Sequence, residues 1–211
     1  QTAGPLPPAM ASLIQIAKRN SERLVRLVND ILDMDKLEHG KFEVNLRPLS
    51  VRSTVQEAVT ANTPYAERFG VTLVFSPPEE DIMVIADSDR LLQVMANLLS
   101  NAAKFTPSGT SVSVTITQNG GSVQVAVQDR GPGIPENLRP RLFEKFAQGE
   151  NVNTREREGS GLGLSISRSL MRLMNGDIQY AYEAGVGSTF VISLPSAAMS
   201  GRTIPELSAA S

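Results

Sequence analysis

The chain has 211 residues, 41% of them apolar, enough for one ordinary domain with an appendage or for two small domains, and not the composition of a fibrous or wholly disordered chain. Its 20 basic and 22 acidic residues nearly cancel, so a general polyanion binder, nucleic acid included, is not expected, while a local phosphate pocket stays compatible with that balance. The lack of cysteine excludes disulfides, thiolate metal sites and cysteine nucleophiles, and with no apolar run near the roughly 18 residues of a membrane span, a soluble, cytoplasmic segment without membrane contact is expected, whatever anchor its parent carries.

From residue 7 to 39 apolar residues recur in alternating steps of three and four: Met10, Leu13, Ala17, the polar interruption Asn20, Leu24, Leu27, Ile31 and Met34. A second set, Ile14, Val25, Val28 and Leu32, widens the stripe beyond what a two-stranded coil buries and predicts a long helix packed in a bundle. Gly40 gives it a stop. The pattern then changes, which sets a domain boundary at about residue 40. A strand is predicted over 42–46, a helix over 50–69 with Ser50 as N-cap, and strands over 71–75 and 83–86. Asp87 or Ser88 caps the next helix, which runs through Leu91, Val94, Leu98 and Ala102 and stops before Pro107. Two alternating runs, 111–118 and 123–128, flank Asn119-Gly120-Gly121 and predict a hairpin. Residues 148–159 are polar and aperiodic, which marks a functional or mobile segment. A helix over 162–174 and strands over 178–182 and 189–194 complete the reading, giving domains at 1–40 and 41–196 and a small, polar, disordered tail at 197–211.

Three motifs carry chemistry. Asn97, Asn101 and Lys104, spaced by four and three, share one helix face. An amide oxygen can ligate Mg²⁺ without adding negative charge beside a triphosphate, and a lysine can neutralise phosphate oxygens. The same residues also suit an ordinary solvated helix face. Asp129-Arg130-Gly131-Pro132-Gly133-Ile134 follows a strand, where a carboxylate can accept from an exocyclic amine such as adenine's and the glycines allow close backbone approach; an ordinary Asp-Gly turn is the alternative. Gly159-Ser160-Gly161-Leu162-Gly163-Leu164 opens a helix whose exposed N–H groups form a phosphate seat, or else is a hinge with no ligand. There is neither a dinucleotide fingerprint nor a Walker loop.

In that order these segments resemble the N, G1, F and G2 boxes of the catalytic domain of sensor histidine kinases, in the superfamily shared with type II topoisomerase, mismatch-repair and heat-shock chaperone ATPases. The resemblance rests on Asp89 to Asn97, the Asp129 turn, Leu142-Phe143-Glu144-Lys145-Phe146, the glycines at 159, 161 and 163, and Gly185 to Phe190, and spans about residues 8–195. It implies an α+β fold, a two-layer α/β sandwich of the Bergerat type with a mixed sheet packed on helices, preceded by the long N-terminal helix. It also implies that Asn101 ligates Mg²⁺, that Asn97 and Lys104 contact phosphates as the catalytic groups, and that Phe105 lies against adenine. Asp129 then receives the adenine amine with Thr189 assisting through water. Gly131, Gly133 and Ile134 shape the base pocket, residues 147–160 form a lid, and Gly161, Leu162, Gly163 and Leu164 surround the phosphates. Phe143 and Phe146 read first as core residues, which in the family also position the lid. Arg155 and Arg157 read as a solvated charge run that reaches the γ-phosphate only if the lid brings them there. Arg130 departs from the smaller residue expected after the aspartate.

In the ATPase branch an acidic residue stands four positions before the metal-binding Asn. Here that position is Asn97, which cannot act as a general base, so transfer is favoured over hydrolysis. Residues 20–33 resemble the second helix of the family's dimerisation hairpin, implying a homodimer. The first helix, with its phosphoacceptor histidine, is not seen. The single histidine, His39, lies at a helix end without the His-Glu or His-Asp context and reads as a dipole-stabilising residue, so the chain reads as truncated. The expectation is an Mg·ATP-binding kinase core that transfers phosphate to a histidine elsewhere for relay to a response regulator. A binding and dimerisation module with a vestigial site, or a hydrolytic ATPase, is the alternative.

Overall fold

The computed structural model describes residues 7–147 and 160–197 and divides into two compact units, residues 1–42 and 43–211. The first is a helix, α1 (Pro8–Glu38), of 31 residues. Pro8 opens it where a missing N–H leaves nothing unsatisfied, and it is capped by His39. Met10, Leu13, Leu24, Val28 and Ile31 are each more than half exposed, so the seam is unburied along its length. Among the described residues no helix is long and apolar enough to cross a membrane.

The second unit runs β1 (Arg47–Ser50), α2 (Val51–Glu67), β2 (Thr72–Ser76), β3 (Met83–Ala86), α3 (Ser88–Phe105), β4 (Ser111–Asn119), β5 (Ser122–Gln128), α4 (Gly163–Leu173), β6 (Asp177–Glu183) and β7 (Gly187–Pro195). Five strands form one sheet in the order β2-β4-β5-β7-β6, and β1 pairs with β3 in a separate two-stranded ladder. Only the β2–β4 pair of the large sheet is parallel, which makes it mixed.

The alternation read in the hairpin sorts the faces. Val112 and Val114 of β4, Val123, Val125 and Val127 of β5, and Ile192 and Leu194 of β7 are at most 2% exposed, while Ser113, Thr115, Gln124 and Ser193 take the other face. The buried face lies under α2, α3 and α4, whose Val55, Leu91, Leu98, Leu99, Leu170 and Met171 are fully buried. The result is a two-layer α+β sandwich.

Two boundaries differ from the sequence reading. Residues 42–46 are not a strand, because the ladder with β3 begins at Arg47 opposite Ala86; the Asn45 N–H is instead held by the Asp87 carboxylate at 2.8 Å. That same carboxylate, not Ser88, caps α3 by accepting from the Arg90 N–H at 3.2 Å. The helix α2 starts on its Ser50 cap as expected but ends at Glu67, two residues early, where Phe69 and Gly70 turn back to Ala66 and Glu67.

Candidate functional site

The α3 periodicity that buries Leu98, Leu99 and Ala102 leaves Asn97, Asn101 and Lys104 half-buried on a common face. Asn97 Nδ2 donates to Ser167 Oγ of α4 at 2.9 Å, and its Oδ1 accepts from Asn101 Nδ2 at 3.3 Å. These bonds orient both amides and leave the Asn101 oxygen with no hydrogen bond among the described residues. The start of α4 presses on the same group: a Cβ on Gly163 would stand 2.5 Å from Asn97 Oδ1, so only glycine permits this approach. Gly161, Leu162 and Leu164 are thereby brought beside the Asn97 face. Leu162 is 1% exposed and acts as a core anchor, its N–H turned to Ser160 Oγ at 3.3 Å, whereas Gly163 and Leu164 supply first-turn N–H groups that no helical carbonyl can satisfy.

At the C-terminal end of α3, Phe105 is 43% exposed with Lys104 Nζ 5.1 Å from its ring centre. The next residue, Thr106, is 3% exposed, and its hydroxyl has no hydrogen-bond partner among the described residues. Gly131 lies against this corner, since a Cβ there would meet Asp129 Oδ1 at 2.8 Å and the Phe105 carbonyl at 3.0 Å. Asp129, at the end of β5, is 5% exposed and accepts from the Gly131 N–H at 2.7 Å. Burial pushes its carboxyl above the usual aspartate value, and backbone hydrogen bonds from Gly131 and Ser188 pull against that rise. It is a desolvated acceptor.

Thr189 is not brought to Asp129. It pairs with Gln128 and Ala181 on the outer face of the sheet, whereas Ser188, 4% exposed, lies on the inner face with Phe190, Ile192 and Leu194. The Asp129 N–H donates to the Ser188 carbonyl at 2.8 Å, which places the two residues opposite one another. The hydroxyl neighbour of the acid is therefore Ser188, and the period-two alternation of β7 already carried that signal.

Other expectations divide. Phe143 is half-buried beneath the Arg168 guanidinium, 4.8 Å from its ring centre, and Arg168 in turn grips Asp177 with bonds of 2.9 and 3.2 Å. Phe146 is not core. It is 68% exposed at φ +60°, held by an N–H bond to the Gly161 carbonyl at 3.0 Å. Arg130 is exposed, so its side chain does not crowd the buried corner around Asp129. Arg155, Arg157 and most of the expected lid lie outside the described residues. Ser167, Ser188, Tyr180 and Arg139 were not singled out from sequence, and each holds a site residue in place.

A buried acid at a strand end, facing an amide-bearing helix and the start of a second helix across a two-layer sandwich, defines the class as an ATP-binding α+β domain. Residues 86–198 match the family model described as "Histidine kinase-, DNA gyrase B-, and HSP90-like ATPase", and the chain belongs to that family. Within it the chain carries a catalytic ATP-binding domain of the sensor histidine kinase type. It is 37% identical over 188 residues to the autoinducer 2 sensor kinase/phosphatase LuxQ of Vibrio parahaemolyticus, covering 86% of this chain and 22% of that protein. It is 33% identical over 194 residues to the circadian input-output histidine kinase CikA of Synechococcus elongatus, covering 91% and 26%. Its fold matches full-length ShkA in complex with AMPPNP at a TM-score of 0.76 and 30% identity, covering 91% of this chain and 40% of that one. The chain thus spans about a fifth to a quarter of the curated relatives named, 22% and 26%.

Proposed function

We propose that this domain holds ATP with Mg²⁺ and transfers the γ-phosphoryl group to a histidine on a hairpin helix supplied from outside residues 1–211, for relay to the receiver domain of a response regulator. The observation that carries transfer over hydrolysis is Asn97. It occupies the position where a water-activating acid would stand, and its amide is committed to Ser167 at 2.9 Å. An amide has no lone pair basic enough to deprotonate water.

The adenine amine is received by Asp129, with Ser188 taking the role expected of Thr189, while Phe105, Gly131 and Ile134 border the base. The open Asn101 oxygen fits Mg²⁺, an ion that takes one or two protein oxygens and completes its shell with water and phosphate. Bound there, the ion supplies charge neutralisation across the phosphates. Asn97 and Lys104 orient and neutralise the phosphates, and the N–H groups of Gly163 and Leu164 face them. In transfer, the acceptor imidazole nitrogen attacks the γ-phosphorus, the bond to the bridging oxygen breaks, and ADP leaves with the bonding pair. His39 is not read as that acceptor: it stands at the C-terminal end of α1 without a following acidic residue, its Nδ1 donating to the Asp35 carbonyl at 2.8 Å. The exposed seam of α1 supports self-association as a homodimer.

The test is incubation with γ-labelled ATP and Mg²⁺, alone and with a separately expressed histidine-bearing hairpin of a related kinase. Acid-labile label on the added hairpin, reduced about a hundredfold or more by Asn101→Ala, is expected. Label on His39, or steady phosphate release that survives replacement of Asn97, would overturn the reading. Absence of saturable ATP binding would mark the site as vestigial.

A further inference from the structure

The loop from Gly131 to Ile134 is poor in means of holding itself. Pro132 and Pro135 bring no N–H, and Gly133 sits at φ +80°, a conformation that adds no side-chain contact. Yet one end of this loop, the Gly131 N–H, is the donor that orients Asp129 at 2.7 Å. What fixes the other end therefore steadies one of the two backbone donors on the acid, the other being Ser188.

That end is gripped from two places far apart in sequence. The Ile134 N–H donates to the Tyr180 hydroxyl of β6 at 2.9 Å. The Ile134 carbonyl accepts from Arg139 Nε at 2.8 Å, so both main-chain polar groups of a single residue end on side chains. Tyr182, two residues along β6, completes the bracket. Its ring lies where a Cβ on Gly133 would be, and the Arg139 guanidinium carbon is 5.3 Å from the centre of that same ring. Arg139 is itself steadied by Glu136 at 3.8 Å.

Strand register explains why these side chains meet. Tyr182 pairs with Ser188, and Tyr180 with Phe190, so the tyrosines share the sheet face that carries Ser188 and Asp129. Tyr180 packs on Phe190 with ring centres 5.2 Å apart, which holds its hydroxyl in place independently of the loop. Both tyrosines of the bracket thus stand on the edge strand β6, while the acid they serve directly follows β5.

We propose that Tyr180 and Arg139 are positioning residues for base recognition: by clamping Ile134 they fix the loop whose Gly131 N–H aims the Asp129 carboxylate, and so set the preference for adenine over guanine. This rests on the ATP-site reading given above. A carboxylate accepts from the adenine 6-amino group and faces an acceptor, O6, on guanine, so its discrimination depends on being held still. A loosened carboxylate binds adenine less well and repels guanine less.

The experiment is competition binding on the full chain with Mg²⁺ present, using ATP, GTP and inorganic tripolyphosphate as probes, for the parent, Tyr180→Phe and Arg139→Gln. Each variant is expected to bind ATP about three- to tenfold more weakly, the loss of one hydrogen bond, to narrow the ATP-to-GTP ratio, and to bind tripolyphosphate unchanged. Tyr180→Phe keeps the ring packing on Phe190, so its fold is preserved. Parallel losses for ATP and tripolyphosphate would reveal a merely structural role and overturn the proposal, as would an unaltered ATP-to-GTP ratio in both variants. If the parent itself binds none of the three, the ATP-site reading falls and takes this one with it; if the parent binds and the variants match it, this proposal alone falls.

Discussion

At the base end of the site, Asp129 is 5% exposed, fixed by a 2.7 Å bond from Gly131 and opposed across the sheet by buried Ser188. At the phosphate end, Asn97, Asn101 and Lys104 are half-buried on α3, and the two amides spend part of their capacity on each other at 3.3 Å. On the proposed reading of the site, the difference follows from what each end would recognise. A base is neutral and is told from other bases by one donor, so a desolvated, immobile acceptor serves it, at a cost in stability for holding a charge away from water. A triphosphate arrives with its own charge, so neutral amides, helix N–H groups and the half-buried Lys104 would serve it, and a buried carboxylate there would only raise the desolvation penalty.

The largest effect that separates the two ends is expected of Asp129→Asn. An amide keeps an oxygen for the Gly131 N–H but turns an NH₂ toward the adenine amine, donor against donor. Loss of a hydrogen bond to a charged group predicts ATP affinity roughly ten- to a hundredfold lower. Stability should move the other way. Because burial raises the folded-state pKa of Asp129, the folded protein holds the proton more firmly than the unfolded chain. Stability contributed by this group is therefore lost as pH rises from the ordinary aspartate value through the raised one. Asp129→Asn removes that loss, so the ligand-free variant should melt higher than the parent at pH 7, with the gap closing toward pH 4. A variant that melts lower at pH 7 would show that the carboxylate is held without strain, and the contrast between the ends would fail.

Gly163→Ala comes next and strikes the phosphate end. Its Cβ would stand 2.5 Å from Asn97 Oδ1, so α3 and α4 must part or the amide must turn. Overpacking of this kind costs about 1–3 kcal/mol. Tripolyphosphate and ATP should weaken together with the ATP-to-GTP ratio preserved, the reverse of the pattern for the base end. Equal affinity in equilibrium titrations would mean that the Asn97 orientation is irrelevant to binding.

How much of this was legible in the sequence depends on whether a signal was local. The α3 face was legible because helical spacing alone aligns Asn97, Asn101 and Lys104, and the hairpin because alternation and Asn119-Gly120-Gly121 act within a few residues. The strand β1 was misplaced because its limits are set by a distant partner, β3, whose register pairs Arg47 with Ala86 and Ser50 with Met83. Phe146 looked like core because phenylalanine usually is; its exposure follows from a backbone bond to Gly161 across a segment with no periodicity to read. Tyr180 and Arg139 stand 41 positions apart, and nothing in composition links them to Ile134.

Thr189 is a different kind of error, since the information was present. Phe190, Ile192 and Leu194 form the alternating apolar set of β7, Ser188 lies in phase with them, and a residue between two members of that series points away from it. The smallest expected effect tests this assignment. Ser188→Ala removes a hydroxyl on the same face as Asp129 and should lower ATP affinity about two- to tenfold, with the larger loss for ATP than for GTP. Thr189→Ala removes a hydroxyl on the outer face, beside Gln128 and Ala181, and should leave ATP affinity unchanged while lowering the melting midpoint slightly through lost strand propensity. Isothermal titration of both variants decides between the two residues. If Thr189→Ala weakens ATP and Ser188→Ala does not, the strand must shift register by one on binding nucleotide, because only such a slip exchanges the two faces.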